Sequence, residues 1–342
     1  MSRIEPVVDG GMTRRSLLGG AFAATVSAAT GVPSFAQQMQ THLPPGVTPK
    51  PKGATVFLDY DQEELDAAYT QALWANQAEL DRRNAQKSAR AVARLGPARR
   101  LAYGPTEAEK LDLYTTKAPN APINVYVHGG AWRASDAAYA AYQSEMFVDS
   151  GAHFIALDFN NVLETKGNLM TMAQQVRRGV AWVYRNARSF GGDPNRLYVS
   201  GHSSGGHLAA VVLTTDWQKD FGLPIDTVKG GLCASGMYDL YPVSLSARRS
   251  YVNFTVAIVE ALSPQRHLDT LVAPVIVSHG TLETPEFQRQ NREFAAAVKA
   301  AGKAVEFILL EGYNHFEVQE SLGNPYGLLG RAVLHQMNLS RA

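Results

Sequence analysis

The stretch Leu197-Tyr198-Val199-Ser200-Gly201-His202-Ser203-Ser204-Gly205-Gly206-His207, running on into the apolar Leu208–Leu213, decides how the rest of the chain is read. Its first four residues suit a strand buried on both faces, and the residues after His207 suit a helix. Between them stands Gly-x-Ser-x-Gly. In a strand–turn–helix setting the glycines permit a turn sharp enough to lift the Ser203 hydroxyl above a sheet, with the Ser204 N–H facing an incoming carbonyl. Ser203 is therefore the candidate nucleophile. Without that setting the same pattern is a tight turn with an incidental serine.

The flanking sequence supplies the setting. Ile123–Val127, Phe154–Leu157, Pro274–Ser278 and Val305–Leu310 are further short apolar runs, and helical stretches fall at about 170–188, 206–216 and 285–301. The last has Thr284 as a cap, Pro285 at its first position and Gly302 past its end. This alternation predicts an α/β domain with a mostly parallel central sheet and helices on both faces. Ahead of it, Asp61 with Glu64 three residues on predicts a capped helix start, with Leu65, Tyr69, Ala72, Leu73 and Leu80 on one face. The domain thus spans 61–342, with an N-terminal helical segment over 61–95 that is expected to pack on the core, a lid being the alternative.

In an open α/β sheet, functional residues gather past the carboxyl ends of the strands. Strand 123–127 runs into His128-Gly129-Gly130-Ala131-Trp132, whose paired glycines let backbone N–H groups face a developing oxyanion. Gly129, Gly130 and Ser204 are the candidate donors. His128 is expected to order that loop, and His128, Trp132 and His202 are candidates for the substrate pocket, with plain packing as the alternative for Trp132. Strand 305–310 leads into Asn314-His315-Phe316. A serine needs a base with a pKa near neutrality, and His315 lies downstream of the nucleophile at a strand end, as this chain order requires. His279 is the alternative base. The acid that holds the imidazole in its useful tautomer is expected at Glu283, in the loop before Pro285. Glu286, in the first helical turn, has the ordinary role of complementing the helix dipole, and Asp239 is the reserve.

Composition narrows the chemistry. The 342 residues carry 32 Lys and Arg against 31 Asp and Glu, a balance that argues against a nucleic-acid partner. With 18% charged and 45% apolar residues the chain is globular rather than disordered. The single cysteine, Cys233, excludes an intrachain disulfide framework and multi-cysteine metal sites. No metal-ligand spacing and no phosphate-binding glycine loop occurs, so no metal and no cofactor is expected.

The N-terminus reads as an export signal. Thr13-Arg14-Arg15-Ser16-Leu17-Leu18 is a twin-arginine sequence ahead of a small, apolar run, and Ser34 and Ala36 occupy the positions a signal peptidase reads. A signal over 1–36, cleaved after Ala36, leaves equal numbers of acidic and basic residues. The apolar run is too short and too rich in small residues for a stable span. Residues 37–60 form a linker holding Pro44, Pro45, Pro49 and Pro51. The expected partners are the twin-arginine export machinery and a small-molecule substrate, the location periplasmic or secreted, with no stable membrane insertion after cleavage. The oligomeric state is open.

Together these motifs resemble the α/β-hydrolase superfamily, and more narrowly its branch with kynurenine formamidase (arylformamidase) and the hormone-sensitive-lipase-type esterases. The resemblance begins at about Asp61 and is carried by Glu64-Leu65 and Tyr69, Tyr103-Gly104, Leu111–Tyr114, His128–Trp132, Gly201–Leu208, Ser235–Leu240, Pro285-Glu286-Phe287 with Arg289-Gln290, and Asn314-His315-Phe316. It implies Ser203 as nucleophile, His315 as base and an oxyanion hole from Gly129, Gly130 and Ser204. That family usually has aspartate where this chain has Glu283, and glutamate is an accepted triad acid. The implied activity is that of a serine hydrolase cleaving carboxylic esters or aryl amides through an acyl-enzyme. The alternatives are a feruloyl or acetyl esterase on acylated sugars and a non-catalytic binding protein built on the hydrolase fold.

Overall fold

The computed structural model describes residues 51–71 and 76–339. The expected signal over 1–36, the linker as far as Lys50, and Ala72 and Leu73 of the predicted helix face lie outside the described residues.

Eight strands form one sheet: β1 (Arg99–Ala102), β2 (Lys110–Tyr114), β3 (Ala121–Val127), β4 (His153–Leu157), β5 (Gly192–His202), β6 (Gly230–Ala234), β7 (Val275–Gly280) and β8 (Val305–Leu310), in the spatial order 1-2-4-3-5-6-7-8. β2 runs antiparallel to both its neighbours, and every other pairing is parallel. β3, β4, β6 and β7 are buried along their whole length, the physical reason their sequences are mostly apolar runs. On one face Tyr126, Phe154, Leu232 and Ile276 pack with Phe147, Val318 and Val333 from the helices Ser144–Asp149, His315–Leu322 and Leu328–Gln336. On the other face the Leu157 side chain lies against Gly179 of the helix Leu169–Asn186.

Two strands carry no such run. β1 is largely exposed and β2 begins with Lys110 and Asp112 alternating with leucines, so neither is an apolar stretch in the sequence. Both belong to the antiparallel end, where a strand need not be apolar throughout.

The predicted N-terminal helix is two helices, Gln62–Ala68 and Gln77–Leu95. The first opens on the expected capping box, Asp61 accepting from the Glu64 N–H while Glu64 accepts from that of Asp61. Leu65, Tyr69 and Leu80 are buried as the periodicity requires. This segment meets the helix Pro285–Ala300 through polar contacts. Gln71 donates to the Thr284 hydroxyl at 2.9 Å, and that hydroxyl donates to the Ala68 carbonyl at 2.7 Å. Thr284 does hold the N-cap position, but its side chain is turned to the N-terminal segment and makes no capping bond.

The parallel register aligns the carboxyl ends of the strands. Val127 pairs with Gly201, Gly201 with Cys233, Ala234 with Ser278 and Gly280 with Leu310. The segments that follow, beginning at His128, Ser203, Ser235, Thr281 and Glu311, emerge along one edge of the sheet.

Candidate active site

β5 ends at His202 and the helix Ser204–Leu213 begins two residues later, leaving Ser203 alone at the turn with φ +59° and ψ −127°. A non-glycine residue in that region is strained. The close approach of Gly205 makes the turn possible, since a Cβ there would stand 2.1 Å from the Val127 carbonyl oxygen. The turn is locked by the Ser203 N–H, which donates to the Ala234 carbonyl at 2.9 Å.

Three side chains from separate segments meet in one hydrogen-bonded line. Ser203 Oγ lies 2.9 Å from His315 Nε2, and His315 Nδ1 lies 2.7 Å from Glu283 Oε2. His315 stands directly after Asn314, whose side chain caps the helix His315–Leu322 in a capping box with Glu317. Glu283 is buried, and its other oxygen accepts from the Gly280 N–H at 2.8 Å and the Ser235 hydroxyl at 2.6 Å. Burial alone raises a carboxyl pKa. Here the neighbouring His315 and the hydrogen bonds from His315, Gly280 and Ser235 outweigh it and hold Glu283 below the ordinary value.

The loop after β3 packs onto this turn. Gly130 has φ +99°, and a Cβ there would stand 2.2 Å from the Ala134 carbonyl oxygen. Ala131 and Trp132 follow with φ +54° and +62°, a strained pair held in part by the Trp132 N–H donating to Ser204 Oγ at 3.1 Å. The amides of Gly129, Gly130 and Ser204 have no acceptor among the described residues. Unpaired N–H groups beside a nucleophile are the arrangement that can receive an oxyanion.

The remaining histidines take structural positions. His207 accepts from Trp132 Nε1 at 3.2 Å through Nδ1 and donates through Nε2 to the Leu262 carbonyl at 2.7 Å, which fixes a neutral tautomer. Burial is the main reason its pKa falls to about 4. His202 is buried 4.6 Å from the His315 ring, and burial, then the charge of His315, bring it down to about 3. His128 donates to the Gly129 carbonyl at 3.0 Å and stacks on Phe159 at 4.3 Å, which orders the loop. His279 turns to the Gly280 carbonyl and to Phe307. It makes no bond to Ser203.

Neither of the other two carboxylates bonds to His315. Glu286 stands in the first turn of the helix Pro285–Ala300. It is fully buried, accepts the Tyr69 hydroxyl at 2.7 Å and pairs with Arg289 at 2.7 Å, because the N-terminal segment covers the start of its helix. Asp239 caps the helix Leu240–Leu245 and pairs with Arg266 at 3.1 Å, in place of any contact with His315. As for Trp132, its indole is buried and bonded to His207. It shares a narrow recess with His128, Phe159 and Leu208. Ser235 and Ser204 lie within quoted motifs, but the bonds of their hydroxyls to Glu283 and to the Trp132 N–H join distant segments and have no signal in the sequence.

No group of three or more His, Cys, Asp or Glu residues that could hold a metal ion occurs among the described residues. No described helix is long and apolar enough to cross a membrane.

Comparison with known proteins places this geometry in a family context. Residues 111–233 match the BD-FAE family model. The chain is 32% identical over 245 residues to a kynurenine formamidase of Danio rerio, covering 70% of this chain and 81% of that one. It is 30% identical over 303 residues to a kynurenine formamidase of Salmo salar, covering 82% and 98%. An isoprenylcysteine alpha-carbonyl methylesterase of Arabidopsis thaliana is 27% identical over 243 residues, covering 64% of this chain and 56% of that one. Among solved structures, a thermophilic esterase of Thermogutta terrifontis superposes with a TM-score of 0.57 at 23% identity, covering 71% and 93%. A protein of Silicibacter sp. TM1040 superposes with a TM-score of 0.68 at 24% identity, covering 78% and 97%. Both structures share the fold.

Proposed function

This chain belongs to the α/β-hydrolase superfamily and, within it, to the kynurenine formamidase family; from that premise we propose that it is a serine hydrolase acting on carboxylic esters or aryl amides through an acyl-enzyme. The observation that carries the reading is the unbroken line from Ser203 Oγ through His315 to Glu283, with distances of 2.9 and 2.7 Å.

In this mechanism Ser203 Oγ attacks the substrate carbonyl as its proton passes to His315 Nε2. Glu283 holds the Nδ1–H tautomer and stabilises the imidazolium, a role supported by its lowered pKa. The negative charge that develops on the carbonyl oxygen is received by the amides of Gly129, Gly130 and Ser204, which have no other acceptor to give up among the described residues. Collapse of the tetrahedral intermediate breaks the bond to the leaving alcohol or amine, which takes the proton from His315. Water then attacks the acyl-enzyme by the same route and releases the acid.

The test is turnover of matched p-nitrophenyl esters and anilides of varied acyl length, with a fluorophosphonate probe on the same preparation. Labelling at Ser203 and loss of turnover in a folded Ser203→Ala protein are expected. Undiminished turnover in that variant overturns the assignment. Short-acyl and aromatic esters are expected to outrun a C16 ester.

Location is part of the same proposal. Arg14-Arg15 and the run ending at Ala36 support export by the twin-arginine route. An exported hydrolase meets substrates other than those of intracellular metabolism.

A further inference from the structure

Arg248 lies in the short helical turn Ala247–Ser250 and is only 9% exposed. Its guanidinium carbon stands 5.6 Å from the centre of the Trp132 ring and 6.0 Å from that of Phe287. These rings belong to opposite parts of the site. Trp132 follows the paired glycines and is bonded to Ser204, and Phe287 lies 4.8 Å from the His315 ring. Arg248 is therefore one ring removed from His315, with Phe287 between them.

Its hydrogen bonds are incomplete. Nη2 donates to the Tyr69 carbonyl at 2.9 Å and Nη1 to the Tyr251 hydroxyl at 3.0 Å. The buried Nε–H has no acceptor, and no carboxylate pairs with the guanidinium among the described residues. Nearby Arg289 shows the usual solution, pairing with both Glu286 and Glu293. A guanidinium has five N–H donors in a planar fork that matches a carboxylate, and burying its charge without a partner is unfavourable. A second cation from the oxyanion loop adds to the field, for Arg133 lies over the Tyr251 ring at 4.7 Å.

We propose that Arg248 anchors a carboxylate on the substrate, so that the ester or amide this site takes carries an acidic group within reach of the scissile carbonyl. The inference rests on the serine-hydrolase reading and names the substrate class for it.

Two matched pairs test it at pH 7. Mono-4-nitrophenyl glutarate against 4-nitrophenyl valerate places the carboxylate on the acyl side, and 4-acetoxybenzoate against its methyl ester places it on the leaving group. With the purified protein, kcat/KM for the charged member should exceed that for the neutral one by about tenfold or more in at least one pair. In Arg248→Met that ratio should collapse toward one or below, and Arg248→Lys should keep part of it, the change falling mainly on KM. A ratio that is unmoved in a folded, probe-labelled Arg248→Met protein overturns the inference. If that variant does not fold, the protein without substitution decides, and a ratio at or below one in both pairs overturns the inference. Turnover of both members without preference defeats this inference alone, whereas absence of turnover together with absence of Ser203 labelling defeats the hydrolase reading and the inference with it.

Discussion

The Ser235 hydroxyl donates to Glu283 Oε1 at 2.6 Å, while Oε2 of the same carboxylate faces His315 at 2.7 Å. Ser235 reaches it from a left-handed backbone conformation, φ +51°, just past the end of β6, and its own N–H donates to the Ser278 carbonyl at the neighbouring end of β7. A serine at the end of one strand therefore fixes the rotation of an acid that follows another.

This clamp separates three carboxylate and hydroxyl variants. Glu283→Gln removes the charge that stabilises the imidazolium and permits the wrong tautomer, so kcat should fall by up to about 10⁴-fold. Ser235→Ala leaves the carboxylate charged but loosens its orientation, and a loss of about tenfold is expected, the size of one ordinary hydrogen bond. Asp239→Asn should leave kcat near the unsubstituted value. Steady-state kinetics on one p-nitrophenyl ester, with thermal melts as a folding control, ranks them. An Asp239→Asn defect larger than that of Glu283→Gln contradicts the ranking.

Stability should fall on mild acidification. His202 and His207 have pKa values of about 3 and about 4 in the folded protein against an ordinary 6.5. Between pH 6.5 and 4 the unfolded chain therefore binds more protons than the folded one, and stability rises with pH in that window. Each histidine contributes a slope of up to about 1.4 kcal/mol per pH unit. Glu283, held below its ordinary value, adds a further loss below pH 4.5. Urea unfolding at pH 7.5, 6.5, 5.5 and 4.5 measures the slope. His207→Asn, though less stable at neutral pH, should show a shallower one, and an unchanged slope speaks against the assignment.

Gly205→Ala tests the turn that presents Ser203. The added methyl would stand 2.1 Å from the Val127 carbonyl oxygen, and both backbones are buried, so neither can yield cheaply. A stability loss of at least about 3 kcal/mol is expected, read from denaturant midpoints. A stable, active Gly205→Ala protein would mean that β3 and the Ser203 turn are not packed as described.

Export is tested in cells. Arg14→Lys with Arg15→Lys should retain precursor in the cytoplasm, whereas the unsubstituted chain should yield a product beginning near Gln37 outside it. Fractionation with N-terminal sequencing distinguishes the two, and normal export of the doubly substituted chain rules out the twin-arginine route.

The parts legible in the sequence share a physical origin. β3, β4, β7 and the carboxyl half of β5 announce themselves because burial on two faces demands mostly apolar runs, and the Ser203 turn because close backbone approach demands glycine; β8 is legible from the same kind of run although it is largely exposed. β1 and β2 stayed hidden because a strand at the antiparallel end can alternate with charge, as Lys110 and Asp112 do. The burial of Glu286 is not legible because it comes from Tyr69, more than two hundred residues earlier. Arg248 could not be found at all, since its meaning lies in rings contributed by two other segments.

The bridge from Trp132 through His207 to the Leu262 carbonyl ties the loop after β3 to the long excursion between β6 and β7. For laboratory evolution of this scaffold, substitutions chosen around Leu262 to admit bulkier molecules will also displace the amides beside Ser203. Selectivity and rate will then change together across a library. Separating them requires holding His207 constant and randomising positions that do not pull on its carbonyl partner.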